Sequence, residues 1–364
     1  MNSFLAFGPI LLMWSCHFKV SGSNVTEDIL DDYGATVDYD KYISPCDKDG
    51  NRNFRSWFLP SIYSLICCLA ILGNFLVILT YLYFQRLKTM TDMFLLNLAM
   101  ADLLFALSLP FWAASVITKW NLGLVPCKAM FAIYKISFFS GMFLLTCISV
   151  DRYFSITKAV SAHRCRSSAA YYGRIASVAT WAIAVVFSLP EIIYSNVSAN
   201  QTCEPYSKEH ENLRFSMQIS QMVLGFVLPA LVMIFCYSCI IKTLEQARNF
   251  EKNKALKVIF AVVVVFVVTQ LPYNVVMGLS TQNTTVCDYD NSLLYAMDVS
   301  RSVAFLRCCV NPFLYAFIGV KFRNDLLKLM KDLGCLSQRY VIYSYGKRKS
   351  SAGFETETTT SFSP

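Results

Sequence analysis

The stretch Phe260-Ala261-Val262-Val263-Val264-Val265-Phe266-Val267-Val268 decides the fold. It is apolar without interruption, whereas a strand of a membrane barrel alternates lipid-facing apolar positions with polar ones. Extended both ways, the run covers about 256–280, and six more stretches of this kind lie near 58–83, 92–117, 127–150, 171–193, 216–241 and 291–318. A helix rising about 1.5 Å per residue needs roughly 20 residues to cross a hydrocarbon core of about 30 Å, and in lipid its backbone satisfies its own hydrogen bonds. The expected fold is therefore all-α, a seven-transmembrane helix bundle over 58–318.

Composition agrees. Of 364 residues, 55% are hydrophobic and only 15% charged, against roughly 25% charged in a soluble domain. The same numbers exclude a disordered chain, and the lack of a Gly-X-Y period excludes a collagen-like fibre. A net charge of +8 suits either nucleic acid or a membrane surface, so placement must choose. The segments after spans one, three and five and after span seven carry twenty Lys and Arg, and the opposite side carries seven from residue 24 onward. By the positive-inside rule the N-terminus is expected outside and the C-terminus in the cytoplasm of a multi-pass plasma-membrane protein with no nucleic-acid partner.

Ahead of span one, the apolar run Phe4 to Trp14 is too short to cross, and small residues follow at Ser21, Gly22 and Ser23. Residues 1–23 are therefore expected to be a signal peptide. Residues 24–57 then form an extracellular tail whose segment 24–49 holds eight acids against Lys41 and Lys48. Such an arm would capture a basic protein by long-range attraction, and Tyr33, Tyr39 and Tyr42 lie among the acids in a context suited to sulfation. Four sequons, at Asn24, Asn196, Asn200 and Asn283, all fall on the expected outer side, where glycosylation takes place.

Of 14 cysteines, Cys46, Cys127, Cys203 and Cys287 fall outside. Two disulfides are expected there, and three pairings are open. Cys236-x-x-Cys239 lies inside a span without a partner pair, so it reads as small buried residues rather than a zinc or redox site. The three histidines, His17, His163 and His210, fall in separate regions; no catalytic constellation, metal or cofactor is expected. Polar groups inside spans raise the functional question by their cost: Asn74, Asp102 and Asn311 recur on spans one, two and seven, and Asp151-Arg152-Tyr153 closes span three.

Leu98-Ala99-x-Ala101-Asp102, Asp151-Arg152-Tyr153 and Asn311-Pro312-Phe313-Leu314-Tyr315, in this order and at these depths, resemble the rhodopsin-like G protein-coupled receptors. Ser108-Leu109-Pro110-Phe111-Trp112, Phe131-Ala132-Ile133-Tyr134-Lys135, Gln270-Leu271-Pro272-Tyr273-Asn274 and Cys308-Cys309-Val310-Asn311-Pro312 narrow the resemblance to the chemokine receptor family. Residues 86–92, 317–325 and 358–364 resemble its C-C members. The resemblance implies a C-C chemokine ligand of the homeostatic lymphoid class, an inhibitory-class G protein, and a role in leukocyte chemotaxis and immune-cell homing. It also implies a disulfide between Cys127 and Cys203, which leaves Cys46 for Cys287.

It implies site residues too. Trp112, Tyr134, Lys135, Gln270, Tyr273, Asp298 and Arg301 are expected around a pocket entered by the ligand N-terminus. The activation switch joins Arg152, held by Asp151 when inactive, to Tyr237 and Tyr315. Phe322, Leu326, Leu329 and Leu333 make one apolar stripe of a short amphipathic cytoplasmic helix over 319–333, which Lys321, Arg323, Lys328 and Lys331 would anchor to anionic membrane lipid. Cys335 is a candidate for palmitoylation. In the tail 334–364, Ser350, Ser351, Thr356, Thr358, Thr359, Thr360, Ser361 and Ser363 form a cluster for a receptor kinase and then an arrestin.

The chain departs from the family pattern at three places. Gln270 stands where a tryptophan is usual, Arg301 where many members place a glutamate, and Phe154-Ser155 where Leu-Ala is usual. Asp298, Asp288 and Asp290 are then the candidate acids for a basic ligand end. Related receptors often hold a sodium ion at the span-two aspartate. Arg307 lies one helical turn before Asn311, on the face expected toward Asp102, so Arg307 is expected to pair with Asp102 in the ion's stead. A scavenging receptor that internalises chemokine without activating G protein is the alternative, disfavoured by the intact Asp-Arg-Tyr. A transporter is disfavoured by the lack of a repeat and by buried charges that read as one cluster.

Overall fold

The computed structural model describes residues 48–84, 89–157, 169–246, 252–280, 287–318 and 320–334. Helices α1 (Asp49–Tyr83), α2 (Met90–Ile117), α3 (Leu124–Thr157) and α4 (Ala169–Tyr194) take the first four apolar stretches. The fifth stretch is shared by α5 (Glu211–Met222), a π turn (Val223–Val227) and α6 (Leu228–Gln246). Helix α7 (Lys252–Leu279) is the sixth, and α8 (Cys287–Phe305) with α9 (Arg307–Ile318) the seventh. Helix α10 (Val320–Asp332) follows. Between α4 and α5 a small hairpin pairs β1 (Asn196–Val197) with β2 (Cys203–Glu204) in antiparallel register, Asn196 opposite Glu204 and Val197 opposite Cys203. Helices α1 to α4 and the run Glu211–Glu245 are each long and apolar enough to cross a membrane.

Local chemistry sets several boundaries. Thr89 caps α2 reciprocally: its hydroxyl accepts from the Asp92 amide and the Asp92 carboxylate accepts from the Thr89 amide, both at 3.1 Å, which satisfies two orphan donors of the first turn. Helix α1 begins at Asp49, ahead of residue 58 where the apolar run starts. Its extra turns are held by packing: Phe54 stacks on Phe58 at 4.6 Å and meets Tyr295 of α8 edge-on at 5.1 Å.

Helix α3 packs against α2, α4, the π turn and α6, and buries Tyr134, Phe139, Met142 and Leu144. The opposite faces are oil-like: Leu72, Val178 and Phe235 are 60–69% exposed, an arrangement suited to lipid. Two breaks in helical regularity matter below. At the π turn, bare Gly225 meets the Phe138 ring, with no room for a Cβ between them. At Leu306, whose amide is shared between the carbonyls of Ser302 and Val303 at 3.2 Å each, the seventh span is interrupted directly before Arg307.

Helix α10 carries the expected apolar stripe and rests part of it on the bundle. Phe322 lies 6.0 Å from the Tyr81 ring of α1, and Leu329 is buried. The Tyr83 hydroxyl reaches Asp332 at 3.4 Å, leaving Leu333 exposed at the end. Burial against α1 removes the same apolar surface from water that a bilayer would.

Candidate functional site

The site has three levels along the bundle. At the hairpin end, Cys127 at the start of α3 is bonded to Cys203 of β2, with Cα atoms 5.7 Å apart, as the family resemblance implied. The first connection is tied to the same hairpin, since the Trp120 amide donates to the Gln201 carbonyl at 2.7 Å. Asn196 and Asn200 lie exposed on this hairpin.

Below it, aromatic rings line the upper bundle. Trp112 meets Phe131 at 5.3 Å and Tyr134 at 5.7 Å, both edge-on, and its indole nitrogen has no hydrogen-bond partner among the described residues. Tyr134, Gln270, Tyr273 and Arg307 share with Phe105, Phe138, Ala304 and Phe305 the lining of a cavity of about 20 Å³, room for about one water molecule. Gln270 is buried and donates through Nε2 to the Ala304 carbonyl at 3.2 Å. A polar tie between α7 and α8 therefore occupies the place expected of an aromatic toggle.

Lys135 is placed otherwise than as an open pocket cation. Its Nζ lies 2.7 Å from Glu191 Oε1 of α4 and donates to Gln221 Oε1 of α5 at 2.8 Å. All three side chains are nearly sealed, so burial is tolerable only because the charges are matched. The buried Tyr206 hydroxyl, from the segment after β2, faces the same carboxylate; burial and then the Glu191 charge push its pKa well above the usual tyrosine value. Asp298 is also engaged, 3.2 Å from Arg55 Nε of α1. Arg301 has Tyr273, Tyr63, Tyr134 and Asp298 as electrostatic neighbours.

At mid-depth, Asn311 Nδ2 donates to Asp102 Oδ2 at 2.6 Å, and Arg307 Nη1 lies 3.3 Å from Asp102 Oδ1. Asn74 Nδ2 donates to the carbonyls of Ala70 and Cys308, each at 2.9 Å, fastening α1 to the start of α9. The guanidinium fits because α3 carries Gly141, where a Cβ would stand 2.7 Å from Nη1. A sodium ion does not fit this donor set: one carboxylate oxygen faces a permanent cation and the other is taken by Asn311.

At the far end, the structure departs from the expected hold on Arg152. Asp151 accepts a hydrogen bond from the Thr91 hydroxyl, and among the described residues it makes no ion pair with Arg152, which is exposed. The Thr91 hydroxyl is nearer because α2 packs on α3 at this level. Tyr237 is buried with its hydroxyl 3.0 Å from that of Ser149, and Arg152 is its electrostatic neighbour. Tyr153 packs on Phe235 at 6.0 Å, and Pro312 stands against Gly73.

Several expected residues lie outside the described ones: Asn24, Tyr33, Tyr39, Tyr42, Cys46, Asn283, Cys335 and the eight tail serines and threonines, as do the side chains of Cys287, Asp288, Asp290 and Tyr315. The expectation of one buried charge cluster was too simple. Asp102–Arg307 and Lys135–Glu191 are separate pairs. Glu191, a single acid in the fourth apolar stretch, carried the signal; Gln221, Thr91 and Gly141 carried none, because ordinary residue types acquire their roles only from what packs beside them.

A helical bundle with the span-seven Asn311 bonded to the span-two Asp102 at mid-depth and an Asp-Arg-Tyr end is the build of a rhodopsin-type receptor, and the family described as 7 transmembrane receptor (rhodopsin family) matches residues 73–315. Over 376 residues, 100% of this chain and 98% of the relative, the chain is 51% identical to C-C chemokine receptor type 7 of Homo sapiens. It is 53% identical over 354 residues to the type 7 receptor of Mus musculus, covering 93% of each. To C-C chemokine receptor type 9 of Homo sapiens it is 40% identical over 342 residues, 89% of this chain and 92% of that one. The chain belongs to the C-C chemokine receptors of the rhodopsin family, multi-pass plasma-membrane receptors rather than enzymes, and it resembles type 7 along its whole length.

Proposed function

We propose that the chain binds a basic C-C chemokine outside the cell and, in response, activates an inhibitory-class heterotrimeric G protein to drive leukocyte chemotaxis and homing. The acidic segment 24–49, with Tyr33, Tyr39 and Tyr42, captures the folded chemokine by long-range attraction. The ligand's N-terminal end then enters beside Trp112, Tyr134, Gln270, Tyr273 and Arg301, and biases the bundle between two packings. The observation that carries the reading is at the Asp151 end: Asp151 is held by Thr91, leaving Arg152 exposed beside Tyr237, where a G protein would dock. A receptor kinase and an arrestin act on the serines and threonines from Ser350 to Ser363, palmitate on Cys335 and the basic residues of α10 meet lipid, and the four sequons carry glycans.

Cells expressing the full chain are challenged with a panel of C-C chemokines while cyclic AMP suppression and ligand uptake are both read. The reading expects a chemokine that suppresses cyclic AMP, with Arg152→Ala abolishing suppression and sparing binding. Uptake without suppression would instead make the chain a scavenger, and binding of none would overturn the reading.

A further inference from the structure

Three basic side chains lie deep in the third and seventh spans, and two of them are matched. Lys135 has Glu191 at 2.7 Å and Arg307 has Asp102 at 3.3 Å. Arg301, six residues before Arg307 in the seventh span, makes no ion pair among the described residues. The acid on the preceding turn of α8, Asp298, already holds Arg55 at 3.2 Å. The electrostatic neighbours of Arg301 are three phenols from other helices, Tyr63 of α1, Tyr134 of α3 and Tyr273 of α7, and the Asp298 carboxylate, which it has to share with Arg55.

A guanidinium is a permanent cation with five donors, and its best partner is a carboxylate taken side-on by two of them. Leaving such a charge unmatched at this depth is costly. Phenols offer oxygens but no countercharge at neutral pH. Arg301 lies six residues along the seventh span from Arg307, about 9 Å toward the hairpin end at helical rise, the end from which the ligand enters under the reading above. It is half-buried, so it is reachable.

We propose that Arg301 is the receptor's anchor for a carboxylate carried by the tip of its ligand, an aspartate or glutamate side chain among the first residues of the chemokine. The proposal rests on the chemokine-receptor reading and adds the chemistry of the tip. The receptor then reads one ligand with two opposite charges: the acidic segment 24–49 attracts a basic body, while the bundle accepts an acidic end. Opposite preferences at the two sites set the direction of insertion and reject a ligand with a basic tip, since like charge beside a half-buried arginine is repelled.

The test varies the ligand first, so that it does not depend on a variant receptor folding. A chemokine that binds the receptor is synthesised in three forms differing at one tip residue, Asp, Asn or Lys, and each is scored for competition binding and for cyclic AMP suppression on the wild-type full chain. The Asp form is expected to be the most potent, Asn weaker by about tenfold or more and Lys weaker still, with binding changing less than potency. Arg301→Glu should invert the order so that the Lys form leads, Arg301→Gln should flatten it, and Arg301→Lys should keep it; surface expression is measured for each.

Equal potency of the three forms on the wild-type receptor overturns the proposal. So does a loss in Arg301→Glu that is the same for all three forms, which would assign Arg301 a packing role or a carboxylate of the receptor's own acidic tail. Failure to find any C-C chemokine that binds the wild-type receptor strikes the chemokine reading itself, and is thereby distinct from binding that ignores the tip.

Discussion

Arg307→Met and Asp102→Asn, singly and together, test whether the mid-depth pair is an electrostatic unit. Unit charges 3.3 Å apart attract by about 5 kcal/mol at an effective dielectric near 20. Desolvation of the two groups offsets most of that, so the intact pair contributes little net stability. Breaking it from one side is different. Arg307→Met would leave the fully buried Asp102 carboxylate with Asn311 at 2.6 Å as its remaining donor, and Asp102→Asn would leave a guanidinium 7% exposed without countercharge. Each change is expected to cost about 3–5 kcal/mol, and the charge-free double variant to recover most of the loss, a coupling of about 4 kcal/mol or more. The assay is unfolding of the purified receptor in detergent, for all four forms, in sodium chloride and in choline chloride at equal ionic strength. The wild type should not distinguish the two salts, whereas Arg307→His, shorter and weakly charged, should gain sodium-dependent stabilisation and a sodium-dependent fall in agonist affinity. Additive losses in the cycle, or a strong fall in wild-type agonist affinity on raising sodium, would refute the reasoning.

Lys135→Met should destabilise the receptor by a similar 3–5 kcal/mol because it strands Glu191 in the interior; Glu191→Gln added to it should restore most of the folded yield, measured by size-exclusion monodispersity. Cys203→Ser opens a loop closed over 76 residues, worth about 4–5 kcal/mol by chain entropy, and a lowered unfolding midpoint with loss of surface expression checks it. Tyr206 has a raised pKa in the fold, from burial and then Glu191. Its contribution to stability is therefore full below about pH 10 and is lost as pH rises toward the raised value, so Tyr206→Phe should flatten the alkaline arm of the unfolding profile. Alanine at all eight tail positions from Ser350 to Ser363 should abolish ligand-induced arrestin recruitment, followed by energy transfer in cells, while cyclic AMP suppression persists.

Seven crossings were readable from the chain alone because lipid imposes a demand that one segment meets by itself: about 20 apolar residues whose backbone bonds close internally. The Cys127–Cys203 bond, expected from family resemblance, has its Cα atoms 5.7 Å apart. Arg307 beside Asp102 was also readable, because one helical turn fixes the face shared with Asn311 and an intramembrane charge must find a partner. Nothing local, however, announced Gly141, the space on α3 that admits the guanidinium, nor the break at Leu306 that precedes Arg307. Lys135 was expected around the ligand pocket, yet α4 and α5 bring Glu191 and Gln221 to it; Asp151 was expected to hold Arg152 in the inactive state, and here α2 brings Thr91 to it. Apolar length is a property of a segment and is written in order along the chain. Which partner satisfies a buried charge is a competition among groups tens to hundreds of residues apart, and only the packing of the helices decides it.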